Sequence, residues 1–391
     1  MLKIAKALIG IWVLTAFSQI TSAASDEAPQ LLPGNDISIT PIFSSLPEEH
    51  FRGEIAIAGL KELGYNVLPA KQTGYATMLL ALAYGDGDFS IHMWDVLHND
   101  FFQKAGGSDK IFKAGNIIPG LKQGYLIDKK TAEKYAINSL NDLEDPEKAA
   151  IFDTDKDGRA DLIGCNPDWG CKDIIEGHLD TYGLKKTVSH NRGDYFALMK
   201  ATIKRHKSGK PILYYTWQPQ WISSILKPGK DVVWLTVEPP ETLEGVVLQT
   251  STTPANTNSK APSNGEKSAT ELGFAEDQIK AVMNLKFATD NPVARTFLSL
   301  LQIPAADESA QNLKMMRGEK SPEDIQRHAV RWIKKNRKTF DEWLEQAREA
   351  APAEQAVSPS SEITATQPEN SESTDQSGQE TQTASAAVAS Q

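Results

Sequence analysis

Three of the eight tryptophans in this chain stand where the backbone turns rather than where a helix or strand runs. Trp94 lies in His92-Met-Trp-Asp-Val-Leu-His98, at the end of a strand-like stretch. Trp169 lies in Gly164-Cys-Asn-Pro-Asp-Trp-Gly-Cys171, among residue types that build tight turns. Trp217 precedes Gln218-Pro219, so the chain there is leaving its strand. A tryptophan taken alone is more often a packing ring, but a large ring inside a turn is costly unless it packs or binds something. Groups for bond-making chemistry are missing: the sequence has no Gly-x-Ser-x-Gly elbow, no His-Glu-x-x-His and no phosphate-cradling glycine loop. The chemistry on offer is recognition, and no cofactor is expected.

Two further sets invite a metal reading. Cys165 and Cys171, the only two cysteines, have no nearby histidine pair to complete a zinc tetrahedron. In an oxidising compartment they are expected to pair; in a reducing one they would stay free thiols. A ring this small adds only about 2 kcal/mol by loop entropy, so its larger effect is to shape Asn166 to Gly170. The second set, Asp153, Asp155, Asp157 and Asp161, spaces its acids like the first nine positions of an EF-hand loop. Position twelve falls on Gly164, which cannot supply the bidentate carboxylate, so an acidic turn is expected and no metal is assigned.

The compartment is legible at the N-terminus. Lys3 and Lys6, an apolar run from Ala7 to Phe17, and Thr21-Ser22-Ala23 make a cleaved signal over residues 1–23. The run is shorter than the roughly 18–20 residues of a membrane span. Export to the periplasm is therefore expected. A net charge of −10 with no basic stretch argues against nucleic acid as a partner.

A chain of 391 residues exceeds what one core normally serves, which favours two lobes. Strand and helix patterns alternate from Asp36 onward, the signature of an α/β fold. Strands are expected at Ile37–Ile42, Tyr65–Leu68, Phe89–Trp94, Gly124–Ile127, Pro211–Thr216, Asp231–Val237 and Gln278–Thr289. Helices are expected from Pro47 to Gly64 and over Ala76–Tyr84. Pro239–Ala269 reads as an irregular loop. Ser321-Pro-Glu-Asp324 starts a helix whose Ile325, Ala329, Trp332 and Ile333 share a face, so Trp332 and Trp343 are expected in the core. The segment 351–391 carries six acids and no Lys, Arg or aromatic residue, the composition of a disordered acidic tail.

Six blocks carry a resemblance: Gly59–Tyr65, Trp94-Asp-Val-Leu-His98, Gln123–Lys130, Gly164–Cys171, Gly209-Lys-Pro211 with Tyr214–Trp217, and Leu226–Leu235. In this order they resemble the ProX/OpuAC-like family, the periplasmic glycine betaine/proline betaine-binding proteins of ProU-type ABC importers. The resemblance runs from about Leu32 to Ala350. It implies a monomeric, type II-like two-lobed fold with two hinge crossovers: first lobe 32–127 and 236–350, second lobe 128–235, ligand in the cleft between. It also implies a box of Trp94, Trp169 and Trp217 around a trimethylammonium group. His98 and the backbone N–H groups of Gly170 and Cys171 would hold the ligand carboxylate, and a membrane permease would be the partner. Asp168, before Trp169, departs from the family pattern, as do the stretch from Glu238 to Glu271 and the tail.

The physics fits this assignment. A quaternary ammonium has no N–H to donate, whereas an indole face attracts it by about 2 kcal/mol when desolvated. Three faces supply roughly 6 kcal/mol of the roughly 8 kcal/mol that micromolar binding requires. Two rivals remain: a sensor presenting the same ligand to a membrane receptor, and a secreted enzyme acting on a choline-like cation.

Overall fold

The structure is a computed structural model and describes residues 32–237 and 270–352. The signal, the loop expected at Pro239–Ala269, and the acidic tail beyond Pro352 lie outside the described residues. In chain order the strands are β1 (Ser38–Ile39), β2 (Ile42–Ser44), β3 (Asn66–Val67), β4 (Lys71–Thr73), β5 (Phe89–Trp94) and β6 (Ile111–Asp128). They continue with β7 (Ala160–Ile163), β8 (Val188–Asn191), β9 (Leu213–Gln218), β10 (Val232–Trp234) and β11 (Asp277–Asn284). The main sheet runs β5-β11-β6-β9-β7-β8, with β10 also on β6; β1 pairs with β3 and β2 with β4, both in parallel.

β6 is the spine of the molecule. Its first part, Ile111 to Leu121, pairs with β11, and Lys122 to Ile127 pairs with β9. The sequence suggests only a short strand at Gly124–Ile127; the strand found has 18 residues. The reason is Gly115 and Gly120, whose φ values of 58° and 69° mark irregularities that interrupt the alternation. A side chain at Gly115 would stand 2.6 Å from the Ser299 carbonyl oxygen, so the close packing there also needs glycine.

Two other expectations change. The strand expected at Ile37–Ile42 is divided between β1 and β2, which take different partners, and Pro41, lacking an N–H, stands at the break. The strand expected over Gln278–Thr289 ends at Asn284, whose side-chain oxygen accepts the Phe287 N–H and starts the helix Leu285–Asp290. Other readings hold. Ser321 and Asp324 form a reciprocal cap on the helix Pro322–Lys335, with Ile325, Ala329, Trp332 and Ile333 buried. Trp332 donates its indole N–H to Asp307, and Trp343 is half-buried against Phe340.

The two places where the chain was expected to cross between lobes lie side by side. Asp128 pairs with Val232 and Leu126 with Trp234, and the Leu235 N–H donates to the Tyr125 carbonyl.

Candidate ligand-binding site

Trp94 is the last residue of β5, and the turn after it carries His98. That turn is held from outside. The buried Asp277 carboxylate accepts the Val96 and Leu97 N–H groups, each at 2.9 Å. Burial lifts Asp277 to about 6, against the pull of its N–H donors. His98 folds back so that its Nδ1 accepts the Trp94 N–H at 3.2 Å. An accepting Nδ1 places the ring proton on Nε2. Burial lowers His98 to about 3, more than the nearby Glu49 raises it, so the imidazole is neutral at neutral pH.

Trp169 sits in a ring closed by the Cys165–Cys171 disulfide, with Cα atoms 6.3 Å apart. Gly170 is the N-cap and Cys171 the first residue of the helix Cys171–Thr181. The first N–H groups of a helix lack intrahelical acceptors and carry the positive end of its dipole. Gly170 also lets the ring approach the His98 turn, because a Cβ there would stand 3.0 Å from the Leu97 carbonyl oxygen. Asp168 is exposed. Trp217 lies near the end of β9, with Tyr195 5.0 Å behind it, centroid to centroid.

These elements converge on one cavity of ≈ 330 Å³, counted with its part open to solvent. Trp94, His98, Trp169, Cys171 and Trp217 line it, and Gly170 adjoins it in sequence. Trp169 and Trp217 stand nearly perpendicular, 5.4 Å apart. The cavity walls include residues that the sequence reading missed: Glu49, Tyr75, Gln123 and Tyr215. Tyr215 had a signal, since it alternates with Trp217 on one strand and so faces the same side; its hydroxyl donates to Gln123 at 2.6 Å. Glu49, in the run expected to open a helix, gave none.

The aspartate loop brings three of its four acids together. Asp153, Asp155 and Asp161 place oxygens within 4.8 Å of one another, but Asp157 turns to Arg159 at 2.6 Å. Asp161 is buried and accepts the Thr154 N–H and the Asn191 side-chain amide, while Asp153 accepts the Lys156 and Gly158 N–H groups. Its carboxylates thus organise a turn.

An α/β sheet threaded by two adjacent crossovers, with an aromatic cavity between its halves, is the two-lobed binding-protein fold, type II-like. Solved structures share it. The lactococcal OpuAC in its closed-liganded conformation with glycine betaine matches with a TM-score of 0.58 at 19% identity, over 79% of this chain and 100% of that one. An ABC-transporter choline binding protein in complex with choline matches with a TM-score of 0.59 at 14% identity, over 81% and 98%. Residues 37–335 match the family described as the substrate binding domain of the ABC-type glycine betaine transport system, and the chain belongs to that family. It is 43% identical over 320 residues to the glycine betaine-binding periplasmic protein OusX of Dickeya dadantii, covering 82% of this chain and 92% of that protein. It is 42% identical over 333 residues to the glycine betaine/proline betaine-binding periplasmic protein of Escherichia coli, covering 85% and 96%. Like these relatives, it is a periplasmic protein.

Proposed function

We propose that the chain captures glycine betaine or proline betaine between two lobes, leaves it chemically unchanged, and delivers it to the permease of an ABC importer. The observation that carries this reading is the convergence of three indoles, a neutral imidazole and a helix N-terminus on one cavity. Trp94, Trp169 and Trp217 would surround the trimethylammonium group by cation–π attraction. His98, with its proton on Nε2, would donate to the ligand carboxylate, joined by the N–H groups of Gly170 and Cys171. The lobes are residues 32–127 with 236–350, and residues 128–235. The names of the relatives support the ligand class, and the family's ABC transport system supports the permease partner.

The test is calorimetric titration of refolded, ligand-free protein with glycine betaine, proline betaine and choline, followed by incubation of catalytic protein with betaine under NMR. Saturable binding with an unchanged trimethylammonium signal is expected. Steady loss of that signal would favour the enzyme reading, and no binding of any of the three would remove this one.

A further inference from the structure

Beneath the tryptophans lies a buried charge network that the ligand reading above does not use. Glu49 lines the cavity, and among the described residues lining it this is the one carboxylate. It is only 5% exposed and is surrounded by donors. Its Oε2 accepts the Ser44 hydroxyl at 2.5 Å and the Tyr75 hydroxyl at 3.1 Å. Its Oε1 accepts the Trp94 indole N–H at 3.3 Å and pairs with Arg52 Nη2 at 2.6 Å. Both carboxylate oxygens are therefore fully engaged by donors.

Arg52 does not cancel that charge, because it is shared. Its Nη1 donates to Glu308 at 2.6 Å, from the helix Ala305–Met316, and its Nε donates to the Ile91 carbonyl. Glu49, Arg52 and Glu308 are all nearly inaccessible. With Glu308 ionised, two acids around one guanidinium leave one negative charge against a box of neutral rings; burial lifts Glu308 to about 7, so the full count applies above that pH. The histidines nearby do not offset it: burial lowers His50, His92 and His98.

Resting on the betaine reading, we propose that Glu49 is a specificity-determining residue: its carboxylate is the counter-charge for the ligand's ammonium group, and its bond to the Trp94 indole positions that ring. A charge in a water-excluded site acts far more strongly than on the surface. With Glu49 beside the indoles and the His98 Nε2–H and helix N-terminus serving the carboxylate, a zwitterion is oriented as well as bound. Glu308 acts through Arg52, setting how much of the Glu49 charge remains uncompensated.

Two variants separate charge from packing. Glu49→Gln keeps the shape of the side chain but removes its charge. Glu308→Gln removes one charge from the same network at a residue outside the cavity that all three indoles line and with no hydrogen bond to Trp94; Glu308 lines only the adjoining pocket that Trp94 and Trp217 also border. Each is titrated with glycine betaine at pH 8.5, where acids are ionised, and each is first shown to melt cooperatively. The expected result is a loss of tenfold or more for Glu49→Gln and of severalfold for Glu308→Gln. Unchanged affinity in Glu49→Gln overturns the proposal. So does a loss in Glu49→Gln alone, which would make Glu49 only a prop for Trp94. If Glu49→Gln does not fold, Glu308→Gln decides: severalfold loss supports the counter-charge and unchanged affinity overturns it. Failure of the wild-type protein to bind betaine would instead defeat the betaine reading itself.

Discussion

An indole offers a quaternary ammonium both apolar area and a negative π face, and only the second distinguishes it from leucine. Trp94, Trp169 and Trp217 all border the cavity, so changing any of them to Ala is expected to cost on the order of 1–2 kcal/mol or more in betaine affinity. Phe should cost less than Leu, because a weaker ring face remains. Trp332→Phe serves as the control, since that indole packs elsewhere and spends its N–H on Asp307. His98→Ala should weaken betaine more than choline, because choline has no carboxylate for the Nε2–H to meet. Titration of each folded variant with both ligands checks the set. Equal affinities for the Leu and Phe variants would mean that the box works by shape and burial alone.

At the scale of elements, the disulfide ring is expected to act as a shaping device more than as a staple. It holds Trp169 and delivers Gly170 and Cys171 to the start of a helix. Changing both Cys165 and Cys171 to Ser should lower stability by only about 2 kcal/mol, yet weaken betaine binding by a larger factor than the fold loses. Thermal melts beside titrations read both quantities, and unchanged affinity in a folded double variant would make the ring a staple after all. The same elements explain what was legible in advance. Phe89–Trp94 and Ala76–Tyr84 carry clean local patterns, and they form as the strand Phe89–Trp94 and the helix Tyr75–Tyr84. β6 hides behind its two glycine irregularities, which break the alternation that sequence reading relies on. The supports of the site were invisible for another reason. Asp277 meets Leu97 across 180 positions, and Glu308 meets Arg52 across 256. A buried acid paired that far along the chain looks, in sequence, like any surface acid.

For the whole molecule, the question is what closes the cavity. The first wall comes from β5 and its turn, with Trp94 and His98; the second comes from the cysteine ring and β9, with Trp169 and Trp217. On the proposed lobe boundaries these walls belong to different lobes, and the connections between them are β6 and the segment that follows β10, paired side by side. Two adjacent strands make a narrow hinge, and on the proposed reading separating the walls would leave Trp94 and His98 on one and Trp169, Trp217 and the Gly170 and Cys171 N–H groups on the other, so neither would hold a complete site. A ligand shifts such an equilibrium only by the difference in its affinity for the two forms. On the proposed reading betaine gains its full set of contacts only when the walls meet, so it should favour the closed form strongly. The expected outcome is a fall in the radius of gyration on adding saturating glycine betaine, read by small-angle X-ray scattering. Trp169→Ala removes contact from one wall only. It should therefore bind more weakly and also leave a larger open fraction at saturation, since the differential affinity itself is reduced. A radius unchanged by betaine in the ligand-free wild type would rule out hinge closure, and the cavity would then have to fill through its solvent-open side without movement of the lobes.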